Sequence, residues 1–492
     1  MSRQTRRTFL KRAAATAGLG AGIVIAGTKA SGNVLGANDT VRLGVAGIHG
    51  RGGSHISAFA RMKGVDVTYL IDPDSSLFAG KSGQVKSQGG NTPKCVQDIR
   101  EALEDKNLDA VSVATCNHWH SLITFWACQA EKDVYVEKPC SHNVFEGRQC
   151  VKAAEKYKRI VQHGTQSRSS SSWARTMAAV ASGKYGKLLV SKGYASKVRW
   201  SIGFKDVAQP PESLDYNLWL GPAPEQPYHP NLVHYKWHWF WDTGNGEIGN
   251  QGVHQMDLAR WGIPGGTLPK SAFSMGGRWV NSTEGHKPFT DQGETPNCQL
   301  TVMDFGGPLL VFEVVGLNNR AGVDGKKYPS KVANEFYLEE GAIIGGKFYP
   351  NGSNKGESLP DAEYTKGPGD NFGNFIDCVR SRDRSKLYGD IVEAHYSAAC
   401  CHLGNISYRL GKQVPGSTRP DVFDKHEQIG KTWDTIRSTV KGTLGLDLDK
   451  STYQLGPTLE FDPEREKFVG NEAADALLTR PYRKPFVVTE EV

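Results

Sequence analysis

A chain of 492 residues, 38% hydrophobic and 10% aromatic, is too long for one comfortable core and too rich in packing side chains for a disordered or fibrous protein. Its formal charge of +7 is local: the first thirty residues hold six basic side chains and no acid, and the remainder sets 53 basic residues against 52 acidic ones. That near-neutral remainder excludes a nucleic-acid surface as the origin of the basic balance.

The chain opens on Arg6-Arg7, followed by Phe9, Leu10 and Lys11 and then by an Ala- and Gly-rich stretch leading to Ala30. This order reads as a twin-arginine export signal. Residues 1–37 are its signal and linker, the twin-arginine machinery is a partner, and the periplasm is the destination. No apolar run is long enough to span a bilayer after signal removal, so no stable membrane insertion is expected. The nine cysteines lack a C-x-x-C spacing and are expected as free thiols in the core, as in a protein that folds before export.

Residues 38–164 are expected to form a nucleotide-binding domain. A strand at 40–48 runs into "HGRGGSHISAFARM", where Ile56, Phe59, Ala60 and Met62 fall at the core spacing of a helix. Strands follow at 65–72, 108–115 and 133–139, with a helix from Ser121 to Ala130; this alternation indicates a parallel, doubly wound sheet. The turn Gly47-x-His49-x-x-Gly52 departs from G-x-G-x-x-G at its middle glycine, with Gly50 and Arg51 inside it. His49 is expected to point outward on a backbone at positive φ, which His tolerates better than most residues. Phosphates would then meet the helix N-terminus. Asp72, twenty residues after Gly52 at a strand end, is placed to hold an adenosine ribose 2′-hydroxyl. This acid favours NAD, while Arg51 leaves NADP open.

The stretch "VATCNHWHSLITFWACQAEKDVYVEKPCSHN" strongly resembles the glucose–fructose oxidoreductase / inositol dehydrogenase / MocA family. The family carries an A-T-P-x-x-x-H-type turn after one strand and E-K-P after the next. Here they read Ala114-Thr115-Cys116-Asn117-His118-Trp119-His120 and Glu137-Lys138-Pro139, with Cys116 in place of proline. The resemblance covers most of residues 40–410. It implies a Rossmann domain followed by an α+β domain with a large, mostly antiparallel open sheet. It also implies that Lys138 lies beside the nicotinamide ribose and the reacting carbon, with Thr115, Asn117, His120, Glu137 and Gln166 among the cofactor contacts. A lysine near a second positive centre exchanges its proton closer to neutrality than a free one. The peptide before Pro139 is often cis in the family.

Residues 165–411 are expected as a substrate and oligomerisation domain. Gln166 and Arg168 stand at its entry, Arg168 as a substrate contact. Strands are expected within 183–198, 298–305, 308–316 and 334–346, and helices at 370–381 and 391–411. By the resemblance, the open face of the sheet joins copies into a dimer or tetramer. The family's D-x-x-x-H motif becomes Asn250-Gln251-Gly252-Val253-His254. Positions four apart share a helix face, and the Asn250 amide fixes a hydroxyl but takes no proton, which leaves the acid–base work to His254 and Lys138. The cluster 237–241 either stacks on a sugar face or fills the gap between sheet and helices; Trp237, His238 and Trp241 are its substrate candidates. His229, His234 and His238 have no acid at a helical interval, so no metal site is expected. Residues 412–492 are expected to pack on the body or on a neighbouring subunit.

Lys138 and His254 facing a nicotinamide imply hydride removal from a secondary alcohol of a sugar, polyol or glycoside, with the protein supplying orientation and charge placement. Free nucleotide is scarce outside the cytoplasm, so an exported enzyme needs a tightly held cofactor. One alternative is a redox-neutral glycosidase working by transient oxidation, elimination and hydration, with an additional base from a Tyr or His in 229–242. Another is a non-catalytic nucleotide- or sugar-binding module, to which Asn250 lends weight.

Overall fold

The structure, a computed structural model, describes residues 40–283, 287–361 and 370–492. The signal and linker assigned to 1–37 lie outside the described residues. Strands β1 (Val41–Ala46), β2 (Val65–Ile71), β3 (Lys94–Val96), β4 (Ala110–Val113), β5 (Asp133–Val136) and β6 (Val161–His163) form one sheet in the order β3-β2-β1-β4-β5-β6. Every pairing in it is parallel. A parallel sheet is covered on both faces, which is why β4 and β5 are buried throughout. The strand order reverses between β1 and β4, and a crevice opens there at the carboxyl ends of the strands. β3 and β6, with three residues each, are too short to show a period in the sequence. Helix Asn117–Gln129 begins ahead of the expected Ser121, directly after Cys116, and nearly all of it is buried.

A second sheet of twelve strands follows among the described residues. Its centre is strand Leu188–Ser196, paired in parallel with Leu309–Val315 and antiparallel with Lys331–Leu338; the other pairings in this sheet are antiparallel. The expected strand over 334–346 is a hairpin turning at Glu339-Glu340. Side chains alternate between faces with period two. Leu310, Phe312 and Val314 enter a core with helices Gly252–Trp261 and Ile391–Arg409, while Leu309, Val311 and Val315 point the other way. The resemblance assigns that other face to contacts between copies. Here it carries helix Glu427–Leu444 of the same chain, through Ile429, Trp433, Ile436 and Val440. Strand Thr452–Leu455 and strand Leu459–Asp462 then extend the sheet beside Ser271–Gly277. All nine cysteines are free thiols, seven of them buried.

Candidate active site

Gly47 follows β1 at φ +78°, and a Cβ there would meet the backbone of Ala114 and Thr115 at 2.5–2.6 Å. A Cβ on Gly52 would stand 1.8 Å from the Gly47 carbonyl oxygen, so helix Gly50–Ala60 starts this close to β1 only because Gly52 lacks one. At Gly50 the space is open for 4 Å around, on the side of the cleft. His49 takes φ −68° rather than the positive φ expected of it. Its ring stacks on His234, centroids 4.4 Å apart and planes 9° from parallel. Burial, with the neighbouring charges of His234 and Lys81, lowers its pKa. The altered glycine position is therefore occupied by a contact with the second domain.

Asp72, just past β2, accepts the N–H of Ile48 at 2.9 Å and that of Asp74 at 3.0 Å, one on each oxygen. Burial raises its pKa to about 6 against those two bonds. Free lone pairs remain on a carboxylate that lines the cleft. Gly47, Gly50, Gly52 and Asp72 thus fit a dinucleotide: unobstructed backbone donors at a helix N-terminus, and an acceptor at the neighbouring strand end. Arg51 is bound to Glu137 at 2.7 Å, and so is engaged away from any 2′-phosphate.

The Lys138–Pro139 peptide is cis. Lys138 Nζ donates to the Asn250 carbonyl at 3.1 Å and to Asn250 Oδ1 at 3.2 Å. Nδ2 of the same amide donates to Glu247 Oε2 at 3.2 Å, and Glu247 is held by Arg199 at 2.6 Å. A carboxylate only accepts, so Glu247 orients the amide with its oxygen toward the lysine. Burial lowers the Lys138 pKa, with the Glu137 and Glu247 carboxylates opposing. Burial pushes His254 down to about 3, and the Lys138 ammonium adds to it, so the imidazole is neutral at physiological pH.

Beneath the lysine, buried Glu137 accepts from Arg51, from His55 Nε2 at 3.1 Å and from the Lys138 N–H at 3.2 Å. Burial alone would raise its pKa; the His55 hydrogen bond and the charges of His55, Arg51 and Lys138 carry it well below the usual range. His120 faces the Pro139 and Thr115 carbonyls at 2.6 and 3.0 Å and ties the two loops together. Asn117 Nδ2 donates to Asn245 Oδ1 at 3.0 Å, bridging the two domains.

Thr115, Asn117, His120, Glu137, Lys138 and Gln166 all line one cleft of about 470 Å³, and Trp237, His238, Asn250 and His254 line it from the second domain. The helix carrying Asn250 divides at Gln251 into Gly246–Asn250 and Gly252–Trp261. Gln251 keeps α-region angles, so the spacing of four still delivers both side chains to the cleft. Two expected substrate contacts stand elsewhere. Arg168 is buried against Asp257 at 2.8 Å and Glu393 at 3.2 Å, over the Trp261 ring: a buried guanidinium requires carboxylates and finds them in the core. Trp241 packs with Arg409 and Tyr408, because the chain turns back after Phe240.

Lys197, Arg199 and Glu247 belong to the site or its support without having been singled out in the sequence, and His234 and Tyr235 were marked for it there only as members of the 229–242 range that offers a further base. Glu247 stands three residues before Asn250, a spacing that faces it on a helix. Lys197 and Arg199 are two apart at a strand exit, a spacing that shares one side. His234 joins Asp74 at 3.1 Å, a partner so distant in the chain that no local spacing could announce it. Among the described residues no group of three His, Cys, Asp or Glu is arranged to hold a metal ion.

Comparison with known proteins adds the lineage. Residues 41–165 match the model of the oxidoreductase family's NAD-binding Rossmann fold, and residues 179–263 match the same family's C-terminal α/β domain. A glycosyl hydrolase family 109 protein of Shewanella pealeana is 26% identical over 182 residues, 36% of this chain and 40% of the relative. Another from Shewanella sp. ANA-3 is 28% identical over 224 residues, 41% of this chain and 48% of the relative. The chain thus spans less than half the length of these curated relatives. The WlbA dehydrogenase of Bordetella pertussis, solved with NADH and UDP-GlcNAcA, superposes at TM-score 0.52 and 17% identity, covering 75% of this chain and 97% of that one. A levoglucosan dehydrogenase solved with NADH and levoglucosan gives 0.51 and 16%, covering 74% and 96%. At such identities the likeness is one of fold. The two family matches are consecutive and fall on the two walls of the cleft; over residues 41–165 and 179–263 the chain matches the NAD-binding and C-terminal domains of the Gfo/Idh/MocA oxidoreductase family.

Proposed function

We propose that the protein oxidises a secondary hydroxyl of a sugar, polyol or glycoside, with NAD as the retained cofactor. The observation that carries this reading is the meeting of Lys138 and His254, from different domains, at the cleft that Gly47, Gly50 and Asp72 open for a dinucleotide. A bound nicotinamide would supply the hydride acceptor. Lys138, with its pKa lowered by burial, takes the hydroxyl proton, and neutral His254 positions the hydroxyl from the opposite wall. Asn250 holds the lysine, and Trp237 and His238 exclude water. Thr115, Asn117, His120 and Gln166 are assigned to the cofactor side. Asp72 and the engagement of Arg51 by Glu137 favour NAD over NADP. The test is mass analysis of nucleotide released from the purified, denatured protein before and after exposure to a pool of sugars and glycosides. Substrate-dependent reduction is expected; nucleotide that no sugar changes would exclude the reading.

A second reading, redox-neutral glycoside cleavage, is favoured by the family 109 glycosyl hydrolase relatives and by Tyr235 and His238, which offer a further base on the cleft wall. Its mark is release of aglycone with no net change in the nucleotide. We further propose export by the twin-arginine route to the periplasm, from Arg6-Arg7, and assembly of copies into a dimer or tetramer through a surface other than the sheet face that helix Glu427–Leu444 covers. Cell fractionation with an Arg6→Lys, Arg7→Lys variant checks the first, and light scattering checks the second.

A further inference from the structure

The second-domain wall of the cleft is cationic in a way that a neutral sugar does not require. Lys197 and Arg199 leave strand Leu188–Ser196 two residues apart and line the cleft with Lys138. Arg199 is matched by Glu247 at 2.6 Å. Lys197 has no carboxylate within ion-pair distance among the described residues. Its Nζ donates to Gln251 Oε1 at 2.6 Å, and Gln251 Nε2 in turn donates to Gln255 Oε1 at 3.0 Å, which holds the amide oxygen toward the ammonium. An ammonium carries three donors, and this one has two left for a ligand. The acids of the cleft are engaged elsewhere: Glu137 by Arg51 and His55, Asp98 by Arg100 at 2.6 Å, and Asp72 by backbone N–H groups. Gln251 directly follows Asn250, which holds Lys138, so adjacent residues of one helical turn fix two ammonium groups.

We propose that this wall receives an anionic substituent of the substrate, a carboxylate or a sulfate ester, and that Lys197 selects it. The inference rests on the reading of the cleft as a sugar site and narrows it to acidic sugars. An anion there balances charge that Glu247 alone leaves uncompensated, and it orients the ring so that a hydroxyl meets Lys138 and His254.

The test uses the NAD-loaded protein and matched pairs: D-glucuronate with D-glucose, D-galacturonate with D-galactose, and N-acetylgalactosamine 6-sulfate with N-acetylgalactosamine. Binding is measured by calorimetry and nucleotide reduction by absorbance. At least one acid is expected to bind about tenfold or more tightly than its neutral twin, with a preference that weakens as salt rises. Lys197→Met should erase that ratio and Lys197→Arg should retain it, a pattern that a merely structural lysine does not produce. Equal, weaker or absent binding of every acid overturns the proposal, as does a preference untouched by Lys197→Met. Lys197-dependent binding of an acid without nucleotide reduction upholds the anion site and removes the oxidoreductase reading instead. The carboxylate and sulfate pairs separate the two sources of charge.

Discussion

The two walls of the cleft are built by opposite strategies. On the first-domain wall, each group belongs to a short contiguous motif at a strand end: Gly47 to Gly52 after β1, Asp72 after β2, Thr115 to His120 after β4, Glu137 to Pro139 after β5. On the second-domain wall, Lys197 and Arg199 come from a strand exit, His234 and Trp237 from a long irregular segment, and Asn250 and His254 from a divided helix. A sheet that presents all its strand ends on one side can assemble a site from local turns. A wall built from separate elements depends on tertiary packing, and its decisive pairs, Arg199–Glu247 and His234–Asp74, are long-range. The comparison teaches that a wall assembled from strand-end turns and a wall assembled from separate elements depend on different ranges of contact along the chain.

Four substitutions sharpen or break that contrast. Lys138→Ala, where the two walls meet, should lower single-turnover nucleotide reduction on the order of a thousandfold while nucleotide stays bound, as mass analysis will show. An unchanged rate would remove the lysine from proton transfer. His254→Ala acts from the second wall and should cost about a hundredfold, again with nucleotide retained. If nucleotide is lost as well, the division of labour between the walls fails. Glu247→Gln tests the support of the second wall. Because the Glu247 carboxylate opposes the burial that lowers the Lys138 pKa, its loss should lower that pKa further. The rising acid limb of a pH–rate profile, which follows deprotonation of Lys138, should then move to lower pH; a limb that stays or rises contradicts the coupling. His49→Gly is the smallest change. It removes the stack on His234, and nucleotide affinity should shift by less than about tenfold in equilibrium dialysis. A larger loss would make His49 part of the cradle itself.

Much of the first wall is legible in the order of residues. Gly47 and Gly52 are placed by the need for a tight turn, Asp72 by a fixed distance to the end of the next strand, and Glu137-Lys138-Pro139 by a motif read whole. His49 was legible as a departure but not in its consequence, since its stacking partner enters from another domain. Arg168 illustrates the reverse error: a basic residue at a domain entry suggests a ligand, yet its charge is consumed by Asp257. Trp241 shares an aromatic run with Trp237, but the turn after Phe240 sends it to the opposite side. The covering helix Glu427–Leu444 carries an amphipathic pattern, with Ile429, Trp433, Ile436 and Val440 on one face, but nothing local says which surface that face will meet.

By itself the amino-acid order determined the parallel domain, its glycine turn and the acid at the β2 end, because each depends on neighbours a few residues away and on periods of two and 3.6, while Lys138 was marked by the resemblance that Glu137-Lys138-Pro139 carries. The tertiary structure alone decided which carboxylate orients Asn250, which histidine covers His49, which glutamine holds Lys197 at the cleft, and which helix closes the far face of the large sheet. Those outcomes rest on charge pairing and apolar burial between segments far apart in the chain, and such contacts have no period for a sequence to display.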